Sequence, residues 1–310
     1  MLSGGPIIVA LDGSELAERV LPYAAALGRA LGDRLVLMTA AYVSEVPGHE
    51  TGMGELDDRP REVCLAYLEG VRKRLGPDAE TCVVTGYPHE AILKAAADLD
   101  AALIVAATHG RSGLSRWIYG STAGHLLHES RVPLLVVGKE ALERKTVTPS
   151  VQHVMVPLDG SRLSEAALPP ALEMARATKA RLTLVRAVPW AAQAYPFFTP
   201  GMYVPQLDAQ LKAGATDYLA QRRSEIPSGV KADAELLRGP VAECLLAFEE
   251  GHAVDLVVMT THARAGLGRA FLGSTADRML HGRAPVLFIR PQEAPRDAAQ
   301  SGGLKEPAPV

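Results

Sequence analysis

The stretch that decides the fold runs from Ala107 to Thr122 and reads A-T-H-G-R-S-G-L-S-R-W-I-Y-G-S-T. A continuous apolar run precedes it and a helix-like segment follows it, so the order is strand, glycine-bearing loop and helix. Such a loop directs backbone N–H groups at one point in front of a helix N-terminus, where the helix dipole also favours negative charge. Arg111 and Arg116 add positive charge. The stretch therefore predicts a phosphate-binding loop.

The same stretch occurs a second time, where residues Thr260 to Thr275 read T-T-H-A-R-A-G-L-G-R-A-F-L-G-S-T. His109 and His262 are 153 positions apart, and so are Gly120 and Gly273. The arginines and the Gly-Ser-Thr triplets of the two stretches keep the same spacing. The chain therefore contains two copies of one unit.

Length and composition set the class of protein. The chain has 310 residues, 48% of them hydrophobic and 22% charged, which is enough for two globular domains with sizeable cores. The net charge of −3 gives no reason to expect nucleic acid or an anionic membrane as a partner. No apolar run approaches the roughly 20 residues of a membrane span, and the N-terminus lacks a signal-peptide layout. The 3 cysteines form no C-x-x-C pair, so we expect a reducing, cytoplasmic location without disulfides or a zinc site.

Short apolar runs alternate with helix-like segments along both halves, as expected for parallel strands buried on both faces. This order predicts an α/β protein of two tandem doubly wound, Rossmann-like domains, each with a parallel sheet of about five strands. We place domain 1 at 1–140, a charged linker at 141–150, domain 2 at 151–292 and a disordered tail at 293–310. Pro22 and Pro169 recur inside the first helix of each half and predict a kink or a broken first turn.

The first strand of each half ends in Asp-Gly-Ser, with Asp12 and Asp159 standing 147 positions apart. Ligands of open α/β sheets bind at the carboxyl ends of the strands where the strand order reverses, and the loop around His109 follows a neighbouring strand. The simpler alternative is a helix cap, since Asp12-Gly-Ser-Glu15 fits a capping box. Because Arg162 replaces that glutamate in the second half while the aspartate is kept, we favour a ligand role.

These residues resemble the universal stress protein family, in its tandem form, over nearly everything from Ile7 to Arg290. The family signature is an aspartate at the end of the first strand and, far downstream, Gly-x-x-Gly, nine residues and Gly-Ser/Thr. Members that keep the signature bind ATP, so the resemblance implies ATP as the ligand, with Mg²⁺ as an optional companion. It also implies an adenine-nucleotide alpha-hydrolase-like fold. By the same resemblance, the last strands, Val132–Val137 and Pro285–Ile289, pair the halves edge to edge into an internal pseudo-dimer.

The family's binding residues transfer to this chain position by position, and the backbone after the first and second strands is expected to frame the adenine. The first-half candidates are Ala10, Asp12, Ala40, Ala107, His109, Gly110, Arg111, Gly113, Gly120, Ser121 and Thr122. The second-half candidates are Pro157, Asp159, Ala187, Thr260, Gly273, Ser274 and Thr275.

Three positions depart from the glycine pattern of the family. Ala107 replaces the first glycine in the first half, and Thr260 and Ala263 replace both early glycines in the second half. A Cβ at Ala263 obstructs close approach of the backbone to phosphate, at a cost of about 1–2 kcal/mol if that residue is left-handed. We therefore expect the first half to bind ATP better, and the second half to bind it weakly or not at all.

Several side chains near the loops have a simpler structural explanation. For His109 and His262 we favour hydrogen bonding within the loop over acid–base chemistry, because no carboxylate stands beside them in the sequence. Ser121 and Ser274 are expected to cap helices, with phosphate contact as an addition. The loops contain four arginines, namely Arg111, Arg116, Arg264 and Arg269. A contact with phosphate or with an interface is about as well supported for them as a position on the solvated surface.

Two histidines after the first loop, His125 and His128, share a helix face and suggest a metal site. We prefer an amphipathic helix with two polar positions, because no third ligand stands nearby in the sequence. No metal site is therefore predicted.

The segment from Trp190 to Pro205 is rich in aromatic residues, namely Trp190, Tyr195, Phe197, Phe198 and Tyr203. So many aromatic side chains in a proline-broken segment are expected to cover another surface. We favour packing between the halves or between subunits over a lid on a ligand site.

The leading hypothesis of function is a cytosolic ATP-binding module of stress response and signalling, in which nucleotide changes the shape or the choice of protein partner. No general base or Mg²⁺-holding carboxylate pair is evident, so we expect no enzyme and at most slow ATP hydrolysis. The alternative is an interaction module without nucleotide, working through the pseudo-dimer and residues 190–205. An ATP-using enzyme ranks last, because His109-Gly110 lacks the second histidine of a nucleotidyl transferase motif. The sequence leaves open AMP, ADP or a cyclic nucleotide as the ligand, and also a homodimer.

Overall fold

The computed structural model describes residues 2, 4–41, 59–76, 78–108, 120–143, 150–190, 205–261 and 272–291. The first-half strands are β1 (Ile7–Ala10), β2 (Leu35–Ala41), β3 (Ala79–Thr85), β4 (Leu103–Ala107) and β5 (Leu134–Val137). The second-half strands are β6 (His153–Pro157), β7 (Arg181–Val188), β8 (Ala232–Arg238), β9 (Leu256–Thr260) and β10 (Val286–Ile289). The first-half helices are α1 (Glu15–Glu18), α2 (Leu21–Leu31), α3 (Arg59–Leu75), α4 (Pro88–Asp98), α5 (Ser121–Glu129) and α6 (Lys139–Glu143). The second-half helices are α7 (Arg162–Glu165), α8 (Leu168–Thr178), α9 (Pro205–Ser224), α10 (Val241–Gly251) and α11 (Ser274–Met279).

The described strands form one 10-stranded sheet in the order β3-β2-β1-β4-β5-β10-β9-β6-β7-β8. Every pairing within a half is parallel. The halves meet where β5 pairs antiparallel with β10, with Val136 opposite Val286. The predicted doubly wound α/β fold and the predicted edge-to-edge pairing are confirmed, and the two predicted sheets are the halves of one continuous sheet.

Alternate residues of each strand pack on opposite faces of this sheet. In β1, Ile7 and Val9 belong to one buried cluster and Ile8 belongs to the other. In β4, Val105 lies on the first side and Ile104 on the second. Because helices cover both faces, the central strands such as β1 and β4 are almost fully buried and appear in the sequence as apolar runs, whereas the outer strands β3 and β8 keep partly exposed, polar positions.

The first helix of each half is broken near its start, as predicted. Arg19-Val20 separates α1 from α2, and Ala166-Ala167 separates α7 from α8. Pro22 and Pro169 are the second residues of α2 and α8. A proline is tolerated there because the N–H groups of a first helical turn have no acceptor within the helix.

Helix α6 lies partly in the segment interpreted as the linker, 141–150. Its Ala141 and Leu142 side chains are buried, and the Tyr23 hydroxyl donates to the Ala141 carbonyl oxygen at 3.0 Å. Two apolar residues are too few to produce a helical period in the sequence. This helix therefore ties the end of the first half to α2, and the domain limits stay a prediction.

Helix α9, which has 20 residues, was not predicted from the sequence. Its buried residues are Asp208, Ala215 and Leu219, so it has no wide apolar stripe that a pattern of hydrophobic residues could reveal. None of the described helices combines the length and the apolar character needed to cross a bilayer.

Candidate functional site

A cavity of about 590 Å³ lies at the carboxyl ends of β6, β7 and β9 in the second half. The strand order reverses here, because β6 has β7 on one side and β9 on the other. The residues that line the cavity include every second-half candidate from the sequence, namely Pro157, Asp159, Ala187, Thr260, Gly273, Ser274 and Thr275. The volume falls within the roughly 300–1,000 Å³ typical of small-molecule sites.

The cavity combines apolar and polar lining groups. The apolar residues come from β7, α10 and β9 and include Val185, Val241, Leu245 and Met259. The polar residues include Asp159, Ser164, Thr260, Ser274 and Thr275. Apolar side chains can pack against a flat aromatic ring, and hydroxyl and backbone N–H groups can donate hydrogen bonds to anionic oxygens. This lining suits a ligand with one aromatic and one anionic end.

The aspartate at the end of the first strand shapes a turn in both halves. Asp159 Oδ1 accepts from the Ser161 backbone N–H at 2.8 Å, and Asp12 Oδ1 accepts from the Ser14 backbone N–H at 3.0 Å. The intervening Gly160 has φ +90°, a conformation that glycine adopts without strain. The carboxylates are thus anchored at the strand ends.

The helix cap that follows is a serine rather than the aspartate. Ser14 Oγ accepts from the Ala17 N–H at 3.1 Å and Ser161 Oγ accepts from the Ser164 N–H at 3.1 Å, so these serines cap α1 and α7. The capping-box interpretation of Asp12-Gly-Ser-Glu15 is therefore wrong. Asp12 acts one step earlier, by holding the capping serine in place.

The Gly-Ser-Thr triplets begin the helices after the two loops. Gly120 and Gly273 are the N-cap residues of α5 and α11, and neither helix has a side-chain cap. Ser121 and Ser274 are the first helical residues, so the prediction that they are caps is wrong. Among the described residues, a Cβ added at Gly273 would meet no atom within 4 Å. Gly273 and Ser274 both line the cavity.

The first-half candidates occupy the equivalent strand ends. Ala10 and Ala107 are the last residues of β1 and β4, and Ala40 lies in β2. The Gly120 N–H donates to the Thr108 carbonyl oxygen at 2.7 Å, which joins the two ends of the first loop stretch. The remaining first-half loop candidates lie outside the described residues, and these are His109, Gly110, Arg111 and Gly113. The described cavity thus belongs to the half for which the sequence predicts the weaker binding.

Arg186 is a cavity residue that sequence reasoning missed. It lies in β7, and its guanidinium carbon is 4.8 Å from the centroid of the Tyr218 ring. The Tyr218 hydroxyl donates to Glu165 at 2.9 Å. Burial raises the pKa of Tyr218 above its ordinary value, and this hydrogen bond raises it further. An added Cβ on Gly160 would lie 2.9 Å from an Arg186 nitrogen, so this cation borders the Asp159 turn. A charged residue directly after the apolar run Leu182–Val185 was the available signal.

The universal stress protein family model matches residues 5–138 and, separately, residues 150–290. The chain belongs to the universal stress protein family. A universal stress protein of Mycobacterium tuberculosis H37Rv is 24% identical over 239 residues, which cover 76% of this chain and 78% of that protein.

One solved structure shows the same fold over nearly the whole chain. The crystal structure of a universal stress protein from Archaeoglobus fulgidus DSM 4304 matches with a TM-score of 0.66 and 19% identity, covering 92% of this chain and 98% of that one. A universal stress protein solved in complex with cAMP is 23% identical and has a TM-score of 0.34, covering 43% of this chain and 96% of that one.

In this tandem universal stress protein, Trp190 contacts its own half. Its ring lies 4.9 Å from the guanidinium carbon of Arg238, which also pairs with Asp208 at the start of α9. The Trp190 side chain is still 46% exposed. Tyr195, Phe197, Phe198 and Tyr203 lie outside the described residues, so packing of the aromatic segment between halves stays a prediction.

The histidines of α5 in this universal stress protein differ from the sequence prediction. His125 does have nearby candidate ligands, since His89 of α4 stacks on its ring and Glu129 lies one helical turn away. His128 is not part of this cluster. The sequence did not reveal this cluster because His89 lies in a different helix, far away in the sequence, and the absence of a metal site stays an untested prediction.

Proposed function

We propose that this universal stress protein binds ATP at the carboxyl ends of the central strands in both halves, more tightly in the first half. The observation that carries the proposal is the cavity at β6, β7 and β9, which gathers all the second-half candidates. The glycine pattern around Gly110 and Gly113 supports the tighter first site.

The proposed pose follows from the lining of the cavity. The adenine packs against the apolar residues Val185, Val241 and Met259, beside the backbone of Ala187. The phosphates lie toward the Gly-Ser-Thr start of α11, where hydroxyl and N–H donors are available. Arg186 adds a positive charge at the Asp159 turn.

The proposed role is binding and signalling rather than catalysis. Asp159 is the carboxylate among the described residues that line the cavity, so a pair of acidic ligands for Mg²⁺ is lacking there. ATP hydrolysis, where it occurs, is therefore slow, and Mg²⁺ enters with the nucleotide. Cys64, Cys82 and Cys244 are free thiols, which supports a cytoplasmic location. Nucleotide binding then changes the choice of a protein partner.

The test is to denature the freshly purified protein and to count the released nucleotides per chain by chromatography, followed by calorimetric titration with ATP. We expect two sites of unequal affinity, of which Asp12→Ala removes the tighter and Asp159→Ala the weaker. If Asp159→Ala changes neither site, the cavity is not the second nucleotide site.

The competing function is an interaction module without nucleotide, and the half-exposed Trp190 at the start of the aromatic segment favours it. The same experiment separates the two functions. No released nucleotide, together with no heat on titration with ATP, would contradict the proposal and support the interaction module.

A further inference from the structure

Two imidazole rings and one carboxylate meet on the outer surface of the first half, between α4 and α5. The rings of His89 and His125 are stacked, with centroids 4.0 Å apart and planes inclined by 16°. His125 Nδ1 lies 3.0 Å from Glu129 Oε1. One candidate ligand atom from each of the three residues lies within 4.8 Å of the other two. These residues are outside the nucleotide site proposed above.

Helix geometry explains why these three side chains meet. His125 and Glu129 are four residues apart on α5, so they project from the same face. His89 is the second residue of α4, and α4 packs against α5. The cluster thus depends on contact between two helices as well as on spacing within one of them.

The described residues at the equivalent positions of the second half do not repeat this cluster. The residues 153 positions further along the chain are Ala242, Arg278 and Gly282, which stand in place of the two histidines and the glutamate. The equivalent helices of the second half, α10 and α11, are instead joined by an ion pair, with Arg278 Nη2 2.9 Å from Glu243 Oε1. The guanidinium of Arg278 offers a metal ion no lone pair, so this ligand set is a feature of the first-half helices.

We propose that His89, His125 and Glu129 form a binding site for a divalent transition metal ion, with Zn²⁺ the best match. Two imidazoles and one carboxylate form a typical three-residue zinc ligand set, which leaves a fourth position for water. Zinc–nitrogen bonds of roughly 2.0–2.1 Å place neighbouring tetrahedral ligand atoms about 3.4 Å apart. The His125–Glu129 distance is close to this value already.

One ring must rotate for both histidines to reach the same ion. Lone pairs lie in the plane of an imidazole, and stacked rings direct them side by side instead of at one point. The His125 and Glu129 side chains are 49% and 48% exposed, so rotation about their torsions meets little packing resistance. Metal binding therefore replaces the ring stack with a coordinated cluster that cross-links α4 and α5.

The test is a calorimetric titration of the tag-free full-length chain with Zn²⁺, without added nucleotide because ATP itself binds metal ions. We expect one zinc site per chain that His89→Ala and His125→Ala each weaken at least about tenfold, since even changes in groups around a metal ligand cost 10–100-fold. Glu129→Gln is expected to weaken it as well. His281→Ala, at an exposed histidine of the second half, is the matched control and should leave the affinity unchanged.

A second readout uses Co²⁺, whose visible absorption reports tetrahedral coordination by the protein. We expect the wild-type chain and His281→Ala to show this band, and His125→Ala to lose it. Equal zinc affinity in the wild-type chain and His125→Ala would overturn the proposal, and so would the absence of zinc binding to the wild-type chain. Either result leaves the ATP proposal intact, because that proposal is tested by Asp12 and Asp159.

Discussion

Asp159 has two roles, because it holds a turn and also lines the cavity. Its Oδ1 holds the N–H of Ser161, and the residue contributes to the wall of the cavity. An acceptor fixed in this way loses little further freedom when a ligand arrives, which favours affinity. The sequence alone presented a helix cap and a ligand role as alternatives for the aspartate. In the structure the serine two positions later caps the helix, and the aspartate holds that serine in place.

Substitutions at Asp159 separate the turn from the charge. Asp159→Asn keeps an oxygen for the Ser161 N–H but offers a ligand an amide donor instead of an acceptor. We expect both Asp159→Asn and Asp159→Ala to lose ATP binding in the second half, measured by calorimetry. Only Asp159→Ala should also lower the free energy of unfolding, by about 1 kcal/mol in urea, because it loses the hydrogen bond. Unchanged ATP affinity in Asp159→Asn would contradict a role for the carboxylate in binding.

Arg186 and His89 show which residues of a site escape prediction. The second-half candidates could be found because a repeated motif marks the ends of β6 and β9 and the start of α11. Arg186 belongs to no repeat, since Thr39 takes its place in β2. His89 acquires its neighbours only when α4 packs on α5. Contacts of that kind depend on helix packing, which hydrophobic periodicity does not encode.

Strands β2 and β7 are longer in the structure than the apolar pattern of the sequence predicts. The apolar pattern predicts β2 over Leu35–Met38, whereas the parallel ladder continues to Ala41, which is opposite Thr85 of β3. Backbone hydrogen bonds extend the strand because they do not require apolar side chains. The same reason lengthens β7 from Leu182–Val185 to Arg181–Val188. Buried strand centres were therefore predicted, and strand ends were not.

The β5–β10 junction is the element on which the union of the halves depends. Leu287 is fully buried in β10 and lies opposite Leu135 of β5. We expect Leu287→Ala to lower the free energy of unfolding by about 2–5 kcal/mol, because it leaves a cavity where the halves meet. Urea denaturation measures the change. Val63→Ala in α3, where the side chain is 70% exposed, is the control and should change stability by no more than about 0.5 kcal/mol. A similarly small effect of Leu287→Ala would contradict the importance of the junction.

At the scale of the whole molecule, the described strands of both halves form one sheet, although the family model matches the chain as two separate stretches. Both core clusters contain residues from the two halves, such as Leu135 with Leu287 and Val136 with Val286. Loss of either half would expose the buried side chains of β5 or β10. We therefore expect the halves to unfold together.

The 2 tryptophans provide a test, because Trp117 stands in the first half and Trp190 in the second. Trp190→Phe leaves a probe of the first half, and Trp117→Phe leaves a probe of the second. We expect both variants to show the same urea midpoint by fluorescence, matching that by far-UV circular dichroism. Two separate midpoints would show that the halves unfold independently.

Saturating ATP, at about 100 times its dissociation constant, should stabilise the fold by about 2.7 kcal/mol per occupied site.

The antiparallel pairing of β5 with β10 has a geometric consequence for any partner. Since strands are parallel within each half and run in opposite directions across the junction, the carboxyl ends of the two halves emerge at opposite edges of the sheet. The two edges at which we propose nucleotide binding therefore face away from each other, and one small ligand cannot bridge them. A protein bound at one edge leaves the other accessible, so a single chain has the geometry of a two-ended adaptor whose ends can be occupied separately.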